Sequence, residues 1–309
     1  MNNIPFYFAY GSNLNTSDFE EWCFDHNIKY YPDMLDAICP AILPDMALCF
    51  NYSSSSRQCN VLNLIECKGA ITHGMIFCPS EAGWEALDHK EASPFVYERI
   101  QVTCVLPNSS LLQAVTYVVN KSLCSEYSPP SIEYFNIVKS GLLHFNLPLN
   151  QLLEAANGQK NLTTLNQLFV YGTLQSEGSL HYTIKKFEIK KISSASTNGK
   201  LYSTDADWYP ALLISETYYC PSEVFGEVIT FNDTTMPIIL EQLDEIEGFY
   251  GYGNQQNLYQ RTILSVKSSN KIINAWAYVV FEHTPWLTTE ISSGSWKKFI
   301  RRRGKGNVE

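Results

Sequence analysis

Two acidic residues carry the spacing that could do chemistry in this 309-residue chain. Leu87-Asp88-x-x-Glu91 and Leu243-Asp244-x-x-Glu247 each close a stretch with helical periodicity. Each follows a glycine turn written in nearly the same letters, Tyr10-Gly11-Ser12-Asn13-Leu14 and Tyr171-Gly172-Thr173-Leu174. An apolar run precedes each turn, so both read as a strand that stops at a glycine and starts a helix. Glycine lets the backbone bend and lets another molecule come close. The unpaired N–H groups of such a turn form an anion site. A carboxylate near such a turn can act as a general acid or base.

More of the order repeats. Tyr97-Glu98-Arg99-Ile100 corresponds to Tyr259-Gln260-Arg261-Thr262, and Gly74-Met75-Ile76 to Gly226-Glu227-Val228. Four correspondences in one order point to two copies of one domain, placed at 1–157 and 166–303 around the linker Asn157-Gly158-Gln159-Lys160-Asn161. Within the first copy, Ser17-Asp18-Phe19-Glu20 has capping-box spacing. Strand-like runs fall at 35–42, 46–51, 61–66, 71–77, 96–105 and 112–119. Helical patterns start at Ser80 and Pro130-Ser131, with another over 149–156. The second copy shows strand-like runs at 168–170, 185–192, 212–214, 224–231, 261–266 and 272–281. Helices are expected near 178–182, over 236–243 and over 291–300. This is an α+β pattern of many short strands.

A net charge of −9 argues against a general nucleic-acid binder. The basic cluster Lys297, Lys298, Arg301, Arg302, Arg303 and Lys305 reads as a solvated tail, with an interaction role as the weaker option. Nine cysteines, Cys220 among them, include no Cys-x-x-Cys pair, which speaks against a disulfide framework or zinc site. No leader pattern or run of about 18 apolar residues occurs. A cytoplasmic protein with reduced thiols is expected, with a small molecule as partner rather than nucleic acid or membrane. The scattered histidines fit no metal spacing.

The ordered motifs resemble the γ-glutamylcyclotransferase superfamily, which includes γ-glutamylamine cyclotransferases and the avirulence-induced proteins of plants. The second copy carries the whole pattern, including Leu243-Asp244-Glu245-Ile246-Glu247-Gly248. Phe225-Gly226-Glu227-Val228, Tyr209-Pro210-Ala211 and Gly294-Ser295-Trp296 also resemble the γ-glutamylamine branch. The first copy, with Tyr10-Gly11-Ser12-Asn13-Leu14 and Ser128-Pro129-Pro130-Ser131, is more similar to the glutathione-metabolism branch. It departs where Ala92 follows Glu91 in place of glycine, and where Gln58-Cys59-Asn60-Val61 replaces a Gly-rich step. Pro94 alters the segment over the acid, so the second copy is the stronger candidate for catalysis.

The resemblance implies two tandem domains, each a small mixed β-barrel with flanking helices. It implies release of 5-oxoproline from a γ-glutamyl amide without metal or cofactor. Glu91 and Glu247 would then be the catalytic acids. Residues 10–14 and 171–174 would bind substrate, as would Tyr97 and Tyr259. Whether the turn N–H groups take the α-carboxylate or the oxyanion stays open. Asp88 and Asp244 read as structural, and Arg99 and Arg261 as partners of surface carboxylates. Gly251-Tyr252-Gly253-Asn254 reads as a flexible lid. A non-catalytic binding module, or one active copy beside a decayed one, are the alternatives.

Overall fold

The computed structural model describes residues 5–158, 164–204, 208–214 and 222–306, of whose last four only the backbone is described. The chain forms two units, Met1–Pro107 with Leu111–Thr163, and Asn108–Ser110 with Thr164–Glu309.

In the first unit β1 (Tyr7–Ala9), β2 (Leu35–Ser54), β3 (Cys59–Pro79), β4 (Tyr97–Val105) and β5 (Leu111–Val119) close a barrel in the order β1-β3-β2-β4-β5. The closing pair β1–β5 is parallel, with Tyr7 opposite Val115. In the second, β6 (Gln167–Val170), β7 (Ile189–Asn198), β8 (Lys200–Thr204), β9 (Pro210–Leu213), β10 (Glu223–Phe231), β11 (Gln260–Ser268), β12 (Lys271–Val279) and β13 (Leu287–Glu290) appear. Five of these close as β10-β6-β12-β11-β7, again with one parallel pair, β6–β12. The topologies correspond strand for strand, as the repeat of motifs requires. The strands β13-β8-β9 form a separate three-stranded sheet.

The four short strands expected over 35–77 are two long ones. Register shifts at Pro44/Met46 and Phe50/Tyr52 absorb the apparent breaks. Asp45 takes a positive φ of 57° and its Oδ1 accepts the Gly69 N–H at 2.8 Å, so a Pro-Asp pair that reads as a turn is a bulge within the strand. The first strand after the second turn lies at Ile189–Asn198, later than expected, and β8 and β13 have no clear sequence signal.

The helices are α1 (Thr16–Asp25), α2 (Glu81–Lys90), α3 (Ile132–His144), α4 (Asn150–Ala156), α5 (His181–Lys185), α6 (Met236–Ile246) and α7 (Trp296–Gly306). Asn15, not Ser17, caps α1, its Oδ1 accepting from the Asp18 N–H at 3.2 Å. Ser80 and Ser131 cap α2 and α3 as expected. The last helix begins at Trp296 because Gly294 has φ 60° and Ser295 Oγ accepts the Lys298 N–H. The basic residues therefore lie on α7 rather than in a tail beyond it. None of the described helices is long and apolar enough to cross a membrane.

Each barrel has its own core. Phe8, Phe50, Ile76 and Phe77 are fully enclosed in the first, and Phe169, Val228, Leu264 and Ala277 fill the second. Each of these side chains larger than alanine contributes roughly 1.5–3 kcal/mol on burial. Gly74 and Gly226 show why the repeat keeps glycine there. A Cβ would stand 2.3 Å from the Ala9 carbonyl oxygen in one copy and 2.4 Å from that of Val170 in the other. That close approach brings β3 and β10 tight against the strands that lead into the turns.

Candidate active sites

The Leu-Asp-x-x-Glu spacing is a helix ending. Glu91 and Glu247 are the C-cap residues of α2 and α6. The next residue turns left-handed, Ala92 at φ 47° and Gly248 at φ 62°. The N–H after it reaches back to the carbonyl of the motif's aspartate, Ser93 to Asp88 at 2.9 Å and Phe249 to Asp244 at 2.8 Å. This is a Schellman closure, and it aims the glutamate away from the helix axis. Ala92 adopts the backbone that glycine would have taken without strain, so the first copy's departure preserves the geometry.

The aspartates pin that ending to the barrel. Asp88 Oδ1 accepts from Tyr117 Oη and Arg99 Nε, both at 2.7 Å. Asp244 Oδ1 accepts from Tyr278 Oη at 2.7 Å, and its Oδ2 accepts from Arg261 Nη1 at 3.0 Å. Both aspartates are structural, as their position suggested. The surface pairing expected for the arginines holds only in part. Arg99 is partly exposed, whereas the Arg261 side chain is 1% exposed and enclosed by Phe249, Tyr252 and Trp276. The strand alternation that suggested an outward Arg261 misses the β11 side covered by residues 249–252. The supposed lid is accordingly a packed turn. Asn257 Nδ2 donates to the Gly251 carbonyl at 2.8 Å, and residues 251–254 are not among those lining the cavity beside Glu247.

The first turn is a one-turn 3-10 segment closed by Leu14 N–H to Gly11 O at 3.0 Å, and the second is a hydrogen-bonded turn closed by Gln175 N–H to Gly172 O at 3.1 Å. Gly11 has φ −119° and ψ −141°, and a Cβ there would meet only the Leu62 Cβ, at 4.0 Å, so the space above the turn is open. Tyr10 and Tyr171 donate to the carbonyls of Tyr117 and Tyr278 at 2.8 and 2.7 Å, locking turn to barrel. Burial pushes both phenols up, and a nearby glutamate adds to the effect. Tyr97 and Tyr259 line the cavities but donate to the carbonyls of Leu62 and Pro210, both at 3.0 Å. Their protons are thus committed away from the acids. Leu14 is a correction: it is wholly buried in the core and does not line the cavity, whereas residues 10–13 and 171–174 do.

The first cavity, about 270 Å³, holds Glu91 among polar groups. Asn13 Nδ2 donates to Glu91 Oε1 at 2.7 Å and to Tyr7 Oη at 2.9 Å. Lys90 and Arg57 also face this space. Burial raises the Glu91 carboxyl, while Lys90, Asn13 and Arg57 oppose the rise. The second cavity, about 350 Å³, is apolar by comparison. Leu174 stands where Asn13 does, Leu168 where Tyr7 does, and Ile246 where Lys90 does, counting from each motif. Removal from water alone lifts the Glu247 carboxyl to about 7. Its seat at a helix C-terminus favours the neutral form too. Such a carboxyl both accepts and returns a proton near neutrality.

The tyrosine clusters around the acids exceed the expected site residues. Tyr117 and Tyr278 have no sequence signal of their own, although the spacing that relates Tyr10 to Tyr171 also relates them to each other. Tyr7 and Arg57 carry no motif, Lys90 is an unspecified step of Leu-Asp-x-x-Glu, and Tyr134 follows Ser128-Pro129-Pro130-Ser131 in the pattern similar to the glutathione-metabolism branch; all four reach the first cavity. Among the described residues no three His, Cys, Asp or Glu side chains converge as a metal site would need. The eight described cysteines are free thiols, and Cys220 lies outside the described residues.

The chain is similar to known proteins over both copies of the repeat. The family described as "Gamma-glutamyl cyclotransferase, AIG2-like" matches the chain twice, over residues 7–136 and 168–298. A γ-L-glutamyl-butirosin B γ-glutamyl cyclotransferase of Niallia circulans is 30% identical over 142 residues, 46% of this chain and 82% of the relative. Among solved structures, a γ-glutamyl cyclotransferase is 23% identical, covers 48% of this chain and 85% of its own, and has a TM-score of 0.41. YkqA of Bacillus subtilis covers 97% of both chains at 12% identity and a TM-score of 0.37.

Proposed function

The chain belongs to the γ-glutamyl cyclotransferase, AIG2-like family, and on that premise we propose that it releases 5-oxoproline from γ-glutamyl amides, with Glu247 and Glu91 as general acid–base groups. The observation that carries the reading is the Glu247 carboxyl, lifted to about 7 inside a cavity walled by Tyr171-Gly172-Thr173. The butirosin relative is named for a γ-glutamyl substrate. Only that substrate class is extended to this chain.

A γ-glutamyl group carries its own nucleophile. Its α-amine attacks the γ-carbonyl carbon, closing a five-membered ring as the new C–N bond forms. The amide C–N bond then breaks and the amine leaves. The ammonium form has no lone pair, so the carboxylate first removes a proton from it. The same carboxyl delivers that proton to the departing amine and then carries the second proton shed by the ring nitrogen, so the amine leaves as an ammonium and the enzyme is unchanged. A cavity that holds the substrate folded supplies the entropic part of the acceleration, up to ~7–11 kcal/mol for a well-oriented ring closure. The turn N–H groups stabilise negative charge on the substrate.

The test is 5-oxoproline release from γ-glutamyl amides by the wild-type chain, Glu91→Gln, Glu247→Gln and the double variant. The expected loss for the double variant is at least 100-fold, with helix and sheet content retained. Full turnover by the double variant defeats the assignment. Calorimetric binding without turnover by the wild type favours a binding module instead.

A further inference from the structure

The two turns are anchored by different means. The first runs straight into α1, whose cap Asn15 also donates to the Ile137 carbonyl of α3 at 3.3 Å. Residues after the second fold back on it instead. The Leu180 N–H reaches the Thr173 carbonyl at 3.0 Å, and α5 begins only at His181, without a side-chain cap. Ser176 holds the step of Asn15, counting from each turn tyrosine, and its N–H donates to Glu227 Oε2 at 2.6 Å.

Glu227 comes from β10, the neighbour of the strand that enters the turn. It pairs with Val170, as Met75 pairs with Ala9 in the first copy. The register is the same in both copies, and only the second has a carboxylate at that step. The other oxygen of Glu227 accepts from Lys297 Nζ at 2.6 Å, and the side chain is 14% exposed. Burial pushes the Glu227 carboxyl up, but the Lys297 ammonium and Ser176 outweigh it and hold the group below the ordinary carboxylate range. A charged acceptor makes the stronger bond to a backbone N–H. Lys297 lies in the first turn of α7, beside Trp296, which is buried in the core of this unit.

We propose that Glu227 and Lys297 are positioning residues of the second site. The strand β10 lends a carboxylate that braces the turn Tyr171–Leu174 through Ser176, and α7 supplies its counter-charge. The helix with the basic cluster thus serves the second turn as α1 serves the first. Neither residue is among those lining the cavity beside Glu247, and neither moves the transferred proton. The kinetic consequence rests on the cyclotransferase reading above, whereas the brace can be read without turnover.

Hydrogen–deuterium exchange on the intact chain reads the brace directly. Glu227→Met, which copies Met75, should speed amide exchange over residues 171–180 by about 10- to 100-fold, the range of a charged hydrogen bond, and leave β6 and β12 as in the wild type. Glu227→Gln keeps an acceptor for the Ser176 N–H and should stay within about threefold of the wild type. Lys297→Met changes a more exposed side chain, which guards against a Glu227 variant that fails to fold, and should speed the same exchange about two- to fivefold. In the Glu91→Gln protein, which turns over through Glu247, Glu227→Met should lower kcat/KM for 5-oxoproline release at least tenfold. Glu227→Gln should recover most of that loss. The first site, read in the Glu247→Gln protein, should change less than twofold on Glu227→Met. Unaltered exchange over 171–180 overturns the proposal, and so does faster exchange throughout the second unit, which would make Glu227 a general stabiliser. Faster local exchange with unchanged kcat/KM overturns the positioning role. Each of these spares the cyclotransferase reading. Failure of the wild type to release 5-oxoproline is the separate outcome that removes that reading, and exchange then decides the brace alone.

Discussion

Asn13 Nδ2 stands 2.7 Å from Glu91 Oε1, and the equivalent position beside Glu247 is Leu174. One residue of the turn therefore joins Lys90 in setting the character of the acid some 80 positions downstream. A donor to the carboxylate favours its charged form and holds the pKa down, whereas an apolar neighbour leaves burial unopposed.

The two sites should therefore work over different pH ranges. The Glu91→Gln protein, turning over through Glu247, is expected to show an acid limb in kcat/KM near pH 7. The Glu247→Gln protein should show its limb lower, because Lys90 and Asn13 oppose the rise of Glu91. Adding Asn13→Leu to it should move that limb upward, since a donor to the carboxylate is lost. Initial rates of 5-oxoproline release across pH decide this, and a limb that Asn13→Leu leaves in place contradicts it.

Glu247 also links stability to pH. Its folded pKa, about 7, lies above the ordinary 4.5, so the folded state holds a proton that the unfolded chain has lost between those values. The associated stability is present below about pH 4.5 and lost as pH rises through about 7. The loss is at most roughly 3 kcal/mol by the 1.36 kcal/mol per unit of linkage. Glu247→Gln should consequently gain on the wild type between about pH 4.5 and pH 8 in denaturant titrations. A constant difference between the two would show that Glu247 is hydrated.

The residue after each glutamate offers opposite substitutions. Ala92 sits at φ 47° and Gly248 at φ 62°. Ala92→Gly should stabilise the first unit by about 0.5–1 kcal/mol, since relief of left-handed strain exceeds the added freedom of the unfolded chain. Gly248→Ala should cost roughly 1 kcal/mol or more, because the new Cβ would also stand 3.2 Å from that of Leu258. Paired denaturation curves check both signs.

The two aspartate–arginine pairs should differ sharply in cost. Arg261→Met leaves Asp244 charged in a buried setting, a loss of about 3–5 kcal/mol. Arg99→Met breaks a half-exposed pair, and about 1 kcal/mol is expected, part of it from the Trp84 ring 4.3 Å beneath the guanidinium. Equal losses would mean that the two aspartates share one environment.

Local signals were the legible ones. The Leu-Asp-x-x-Glu motif could be read because a helix ending is written in consecutive residues, and the duplicated barrels because their motifs recur in order. Features that depend on distant segments could not. Leu62 on β3 and Pro210 on β9 accept the same bond from Tyr97 and Tyr259, yet they share no surrounding motif. Asp18 accepts from Arg57 and Lys90, yet the three come from α1, a hairpin tip and the end of α2. Each alone resembles a solvated surface charge. The Ser17 box lost to Asn15 because the amide of Asn15 also donates to the Ile137 carbonyl of α3 at 3.3 Å, a tertiary contact that local spacing does not contain.

The hairpin joining β2 and β3 projects its tip, residues 54–57, over the first cavity, while the barrel below is braced by Tyr10, Asp88 and Tyr117. The tip and the braced barrel are thus separately replaceable parts of the unit. A tip can change length or charge with little effect on the strands that carry it. Its exposed positions can be altered while Glu91 stays fixed at the end of α2. Duplication doubles that opportunity, since one copy can keep its range of substrates while the other drifts toward a new one.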